Sequence, residues 1–253
     1  MKFVAVLLFC LLLNPAVGRE ACPGQIRVTF PDFSVPPFIN GTGLNFSDPP
    51  GRLVDWVRQA IAKTGCAATP VFNRRPRKRG LVEMAQSQAD LLLPVTSTAG
   101  RDGTLVFPTV NGRIDQRMAL AGLKISLWVR SGERQVAWTG KQLVGPPGFR
   151  VGVAAGSVAH DMAALHGWDV ELAVNSQKSI EKLVAGRVPV VLVADVVVQG
   201  APENTRMLME KLSPGLGVTY FYSAASVPFH DRYPEFMSKY WKALGEVAHA
   251  ARH

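Results

Sequence analysis

Cysteine is scarce: three residues in 253, and the first, Cys10, sits in the apolar N-terminal stretch. The even pair that remains, Cys22 and Cys66, behind an export segment points to a disulfide in place of a metal site. Long apolar runs are equally scarce. Phe3–Leu13 is too short to cross a bilayer, and no later stretch is apolar enough. The acids, 19 against 28 Lys and Arg, are scattered and form no obvious catalytic pair. The five histidines, at 160, 166, 230, 249 and 253, lack ligand spacing, and no Gly-x-Ser-x-Gly elbow occurs. Aromatics are missing from the one dense basic run, Arg74-Arg75-Pro76-Arg77-Lys78-Arg79, which argues against a nucleic-acid partner. Nothing in the composition calls for a metal or a cofactor.

What is present begins with Met1-Lys2, the apolar run and Ala16-Val17-Gly18: a positive start, a short hydrophobic region and a small-x-small cleavage site. Residues 1–18 are therefore expected to be a signal peptide, removed on export to the periplasm or the medium. The mature chain, about 235 residues from Arg19, is long enough for one large or two modest lobes. Loss of Lys2 takes the formal charge from +9 to +8, which favours anionic ligands.

The first hundred residues alternate. Ile26–Phe30 reads as a strand and Pro31–Pro50 as a loop. Leu53, Val54, Trp56, Val57 and Ile61 then mark the apolar face of a helix that Gly65 ends. A strand from Cys66 through Phe72, a helix with Leu81, Val82, Met84 and Ala85, and a buried strand Leu91–Val95 follow. This β-α-β-α-β order predicts a doubly wound α/β sheet. Cys22 and Cys66 precede the first and second strands, so parallel neighbours would bring the thiols to one sheet end.

The third strand breaks at once into Thr96-Ser97-Thr98 and Gly100-Arg101. An open α/β sheet places its ligand beyond the carboxyl ends of its strands, and an Arg fork suits a carboxylate. The alternative is a simple turn with Arg101 as a solvated charge.

After an irregular connection over Thr109–Gly122, strands are expected at Lys124–Arg130 and Arg150–Ala155, with a loop over Val136–Gly148 between them. Gly156-Ser157 caps a helix running to Leu165 and offers backbone N–H groups to an anion. Val170–Val174 is a strand, Ser176–Ala185 a helix, and Val188–Val198 a second β-branched run carrying one acid, Asp195. A strand at Thr219–Tyr222 and a helix over Asp231–Ala250, with Phe236, Tyr240, Trp241, Leu244 and Val247 as core, close the chain. Two β-α-β sets with a returning strand and helix imply discontinuous lobes: 19–116 plus 216–253, and 117–215.

The order of these pieces resembles the extracytoplasmic solute-binding proteins of the polar amino acid uptake class, family 3, with the type II periplasmic binding fold. The resemblance rests on Pro37-Phe38, Gly51-Arg52-Leu53-Val54-Asp55, Ala89-Asp90, Thr98-x-x-Arg101 with Phe107-Pro108, Val151-Gly152-Val153 with Gly156-Ser157, and Leu183–Arg187. It covers nearly all of the mature chain. It implies a monomer of two doubly wound lobes joined by two crossing segments, closing over a small ligand and serving a membrane permease of the ABC type or a sensor partner. Arg101 would grip a carboxylate beside Thr96 and Ser97, Gly156-Ser157 would donate to it from the other lobe, and Asp195 is the nearest candidate for an α-amine. Pro76 or Arg77 falls where a second aromatic often stacks on the ligand. Pro94, Val35, Val158 and Pro189 depart from the pattern, which shifts the expected ligand from a standard amino acid towards a small organic anion. A periplasmic dehydratase on the same scaffold is the enzymatic alternative; the residues give it little.

Overall fold

The computed structural model describes residues 22–97 and 103–251. Its first half runs β1 (Gln25–Pro31), α1 (Arg52–Lys63), β2 (Thr69–Arg75), α2 (Arg77–Ala85) and β3 (Leu91–Val95). Short strands β4 (Leu105–Val106), β5 (Thr109–Val110) and β6 (Arg113–Ile114) and a 3-10 turn at Gln116–Met118 lead into the long β7 (Ala121–Arg130). The second half continues β8 (Ala137–Trp138), β9 (Leu143–Val144), β10 (Val151–Ala154), α3 (Val158–Leu165), β11 (Val170–Ala173), α4 (Ser176–Val184) and β12 (Val190–Ala194). Then come α5 (Asp195–Gln199), α6 (Glu203–Arg206), β13 (Met209–Lys211), β14 (Gly217–Ser226), α7 (Val227–Arg232) and α8 (Pro234–Ala250).

One continuous path of strands, β11-β10-β12-β7-β14-β3-β1-β2, carries both lobes. Parallel pairing is confined to its ends, β1 with β2 and β3, and β10 with β11 and β12. The middle is antiparallel. β14 joins the halves: Gly217–Phe221 pair with β7, whereas Tyr222, Ala224 and Ala225 pair with β3 across a bulge.

Each half is covered on both faces, as its apolar runs require. Leu91 and Leu93 of β3 face a core shared with α1 and α8, and Leu92 and Val95 face the opposite core with Met84 of α2. β12 alternates in the same way, Val190 and Leu192 to one side, Val191 and Val193 to the other. The apolar face expected for α1 is the buried one, and it packs along α8. Burying each of its large side chains contributes about 1.5–3 kcal/mol. Cys22 and Cys66 form a disulfide with their Cα atoms 5.6 Å apart, at the shared end of the parallel pair β1–β2.

Several elements differ from expectation. The run Val188–Val198 is not one strand: β12 stops at Ala194, and Asp195 opens α5. An acid in a first turn suits the helix dipole, and burial of Val198 outweighs the weak helix propensity of three valines. The closing helix is divided at Tyr233, because the residue before a proline avoids the α region. Val82, assigned to the apolar face of α2, is exposed; Gly80, Glu83 and Met84 are buried there. The second strand starts at Thr69, not Cys66, and the loops at 109–122 and 136–148 hold the β5–β6 and β8–β9 ladders.

Candidate functional site

The parallel strands of both lobes end on one cleft. Pro31 ends β1, Asp32 follows it and Thr96 follows β3 from one side; Ala154 ends β10, Val174 follows β11 and Ala194 ends β12 from the other. This is the position that strand-end geometry assigns to ligands in α/β sheets. The cleft holds a cavity of about 400 Å³. A second hollow of about 470 Å³ shares Asp32, Phe33, Val35, Asn175, Ser176, Val196 and Val197 with it and extends outward to Thr42 and Pro202. The inner volume is within the ~300–1,000 Å³ typical of small-molecule sites.

Helix starts converge here. Arg77 opens α2 from the first lobe; Val158, Ser176 and Val196 lie in the first turns of α3, α4 and α5 in the second. Two of these turns are capped by side chains. Ser157 Oγ accepts from the His160 N–H at 3.2 Å, and Asn175 Oδ1 accepts from the Lys178 N–H at 2.9 Å. Helix N-termini carry partial positive charge, so their convergence favours an anion.

Charged side chains are few. Among the described residues lining the inner cavity, Asp32 and Arg77 are the charged ones, both from the first lobe. The Arg77 guanidinium lies 5.7 Å from the centre of the Phe33 ring, a cation–π distance. Behind Asp32, Arg74 is only 1 % exposed. It donates to the carbonyls of Pro31 (3.1 Å), Gly41 (3.0 Å), Asn40 and Asn45, tying the 31–50 loop to β2. Burial pushes its pKa below the ordinary value, and the Asp32 charge works in the opposite direction. The rest of the lining is largely apolar and includes Phe33, Val35, Leu120, Val158, Val197 and Phe221.

The structure brings some of the expected residues together here and not others. Thr96, 3 % exposed, lines the cavity, as do Ser157 and Arg77. Ser97 is half-buried but lies outside the lining, and Arg101 is outside the described residues. Gly156 has φ +67° and its N–H donates to His160 Nδ1 at 3.3 Å. The Ser157 hydroxyl donates inward to the Ala154 carbonyl at 2.7 Å, so its proton is committed to the turn. Asp195 is placed away from the cavity. It is 7 % exposed and absent from the lining, and its Oδ2 accepts from Lys211 Nζ at 3.1 Å. With the break at Ala194, Asp195 opens α5 and pairs with Lys211, while Val196 and Val197 meet the cleft.

Sequence reasoning missed Asp32, Phe33, Asn175 and Ser176. The signal was there: Asp32-Phe33 directly follows β1, as Thr96 follows β3, and Asn175-Ser176 comes one residue after β11. Among the described residues no group of three His, Cys, Asp or Glu could hold a metal ion, and no helix is long and apolar enough to cross a membrane.

The chain matches no protein-family model and no curated protein. Solved structures do resemble it. A histidine kinase sensor domain with similarity to periplasmic binding proteins aligns over 90 % of this chain and 92 % of its own, at 14 % identity and a TM-score of 0.70. An ancestral arginine-binding protein bound to glutamine aligns over 88 % and 92 %, at 18 % identity and a TM-score of 0.65. The ancestral amino acid-binding protein AncCDT-1, a precursor of cyclohexadienyl dehydratase, aligns over 90 % and 95 %, at 12 % identity and a TM-score of 0.65. The fold of this chain is the type II periplasmic binding fold.

Proposed function

We propose that this protein is an extracytoplasmic binding protein that encloses a small carboxylate-bearing ligand, an amino acid or another organic anion, between its two lobes and delivers it to an ABC-type permease. The observation that carries this is the cleft itself: strand ends and helix starts of both lobes converge on one cavity of ligand size. The Cys22–Cys66 disulfide fits an oxidising compartment, in keeping with export of the chain after loss of residues 1–18. The closing units are 19–116 plus 216–253 and 117–215, acting as a monomer that hinges where β7 and β14 cross. In this reading Arg101 anchors the carboxylate. It follows Thr96 by five residues, and Thr96 stands in the cleft wall.

A second reading, a ligand-binding module that feeds a sensor, draws on the likeness to a histidine kinase sensor domain. Both readings share the same cleft and differ in the partner. A dehydratase-like activity has less support: the described lining of the inner cavity contains no His, Cys or Lys and one carboxylate, Asp32. A thermal-shift screen of small carboxylates tests the common core, because a ligand that binds only the folded state raises the melting temperature. A shift with a small carboxylate, and no product formed, supports capture; absence of any shift across the screen contradicts it.

A further inference from the structure

We infer that the cleft selects carboxylates that carry an apolar body and no neighbouring ammonium group, that is, aliphatic or aromatic acids in preference to the corresponding amino acids. This rests on the carboxylate-capture reading above and narrows it.

The wall contributed by residues 154–197 is fully described and contains no charged side chain. Its polar groups are Ser157, Asn175 and Ser176, and each sits at the start of a helix. Those starts present partial positive charge, which suits an anion and opposes an ammonium ion. The acid nearest in sequence, Asp195, is held by Lys211 outside the lining. An ammonium group facing this wall would lose its hydration shell without gaining a carboxylate partner, a costly outcome for a buried charge.

Nor do the described residues of the first lobe supply that partner. Asp32 is the one carboxylate in the described lining, and its charge acts on Arg74. Arg74 is buried behind it, bonded to loop carbonyls, with Asp32 as the charge acting on it. Arg77 lines the same cavity. With one acid and two guanidinium groups, that corner carries a net charge of +1. Meanwhile Val158, Val174, Val193, Val196, Val197 and Phe221 offer aliphatic and aromatic surface with no hydrogen-bonding capacity. Their complement is hydrocarbon.

The test is calorimetric titration of the purified protein with matched pairs: 3-phenylpropanoate against L-phenylalanine, and 4-methylpentanoate against L-leucine. At least one acid is expected to bind tenfold or more tightly than its amino counterpart. Equal or tighter binding of the amino acids overturns the inference and leaves carboxylate capture standing. Failure of all four to bind at millimolar concentration overturns the inference, and carboxylate capture falls with it only if no small carboxylate in the thermal-shift screen raises the melting temperature. Asp195→Asn supplies a second arm: the acid-to-amino-acid ratio should not change, whereas selective loss of amino acid binding would put Asp195 in the site and contradict the inference.

Discussion

The Arg74 guanidinium donates to the Gly41 carbonyl at 3.0 Å, and a Cβ on residue 41 would lie 2.4 Å from Arg74 Nη1. Gly41, at φ +114°, therefore supplies both an acceptor and the space for a buried cation. Four carbonyls of the 31–50 loop converge on this one side chain, whose guanidinium also stacks 5.2 Å from the Phe46 ring centre. Because the same loop carries Asp32, Phe33 and Val35, the clamp shapes a wall of the cleft.

Replacing Arg74 by Met should therefore lower stability by about 3 kcal/mol, since several buried carbonyls lose a charged donor. Ligand affinity should fall with it. Urea unfolding measures the first effect. A loss under 1 kcal/mol would mean that the loop is held by other contacts.

The disulfide closes a loop between residues 44 apart in sequence. In the chain-entropy model its removal costs about 3–4 kcal/mol. A Cys22→Ser, Cys66→Ser double variant should show that loss in denaturant unfolding and an unchanged circular dichroism spectrum. Two freely alkylated thiols in protein taken from an oxidising compartment would contradict the pairing.

Asp115 caps the 3-10 turn that enters β7. Arg117 donates to its two carboxylate oxygens, at 2.9 and 2.8 Å, and from its backbone N–H at 3.0 Å, which holds the carboxyl below its ordinary 3.8. A depressed folded-state pKa means that the unfolded chain takes up the proton first. The stabilising contribution is thus complete above pH 3.8 and disappears as pH falls through the lower folded value. Asp115→Asn should be less stable than wild type at pH 6, and the gap should close below pH 3.8. A gap independent of pH would leave the ion pair with no role.

The architecture was legible in the sequence wherever one periodicity dominated. The α1 face, the doubly buried β3, the Ser157 cap and the cysteine pair could all be read from spacing. What could not be read depended on tertiary placement. Val188–Val198 reads as one β-branched run carrying a single acid, yet the lobe core takes Val198 from a helix and Asp195 pairs with Lys211. Nothing local marks Arg74 as buried, because its partners are backbone carbonyls 29 to 43 residues away. Asp32 and Phe33 carried the same strand-end signal as Thr96, but a proline-rich loop masked it.

The proposed carboxylate site between the lobes depends on Arg101 as its anchor. The most direct measurement is titration of wild type and Arg101→Ala with the tightest-binding member of the four-compound panel, alongside melting curves. Arg101→Ala should lose about 2–5 kcal/mol in binding, as when one partner of a buried charge pair is removed, with the melting temperature of the free protein little changed. Arg101→Lys should recover part of that loss, because an ammonium cannot reproduce the guanidinium fork. Unchanged affinity in Arg101→Ala would mean that Arg101 does not hold the ligand.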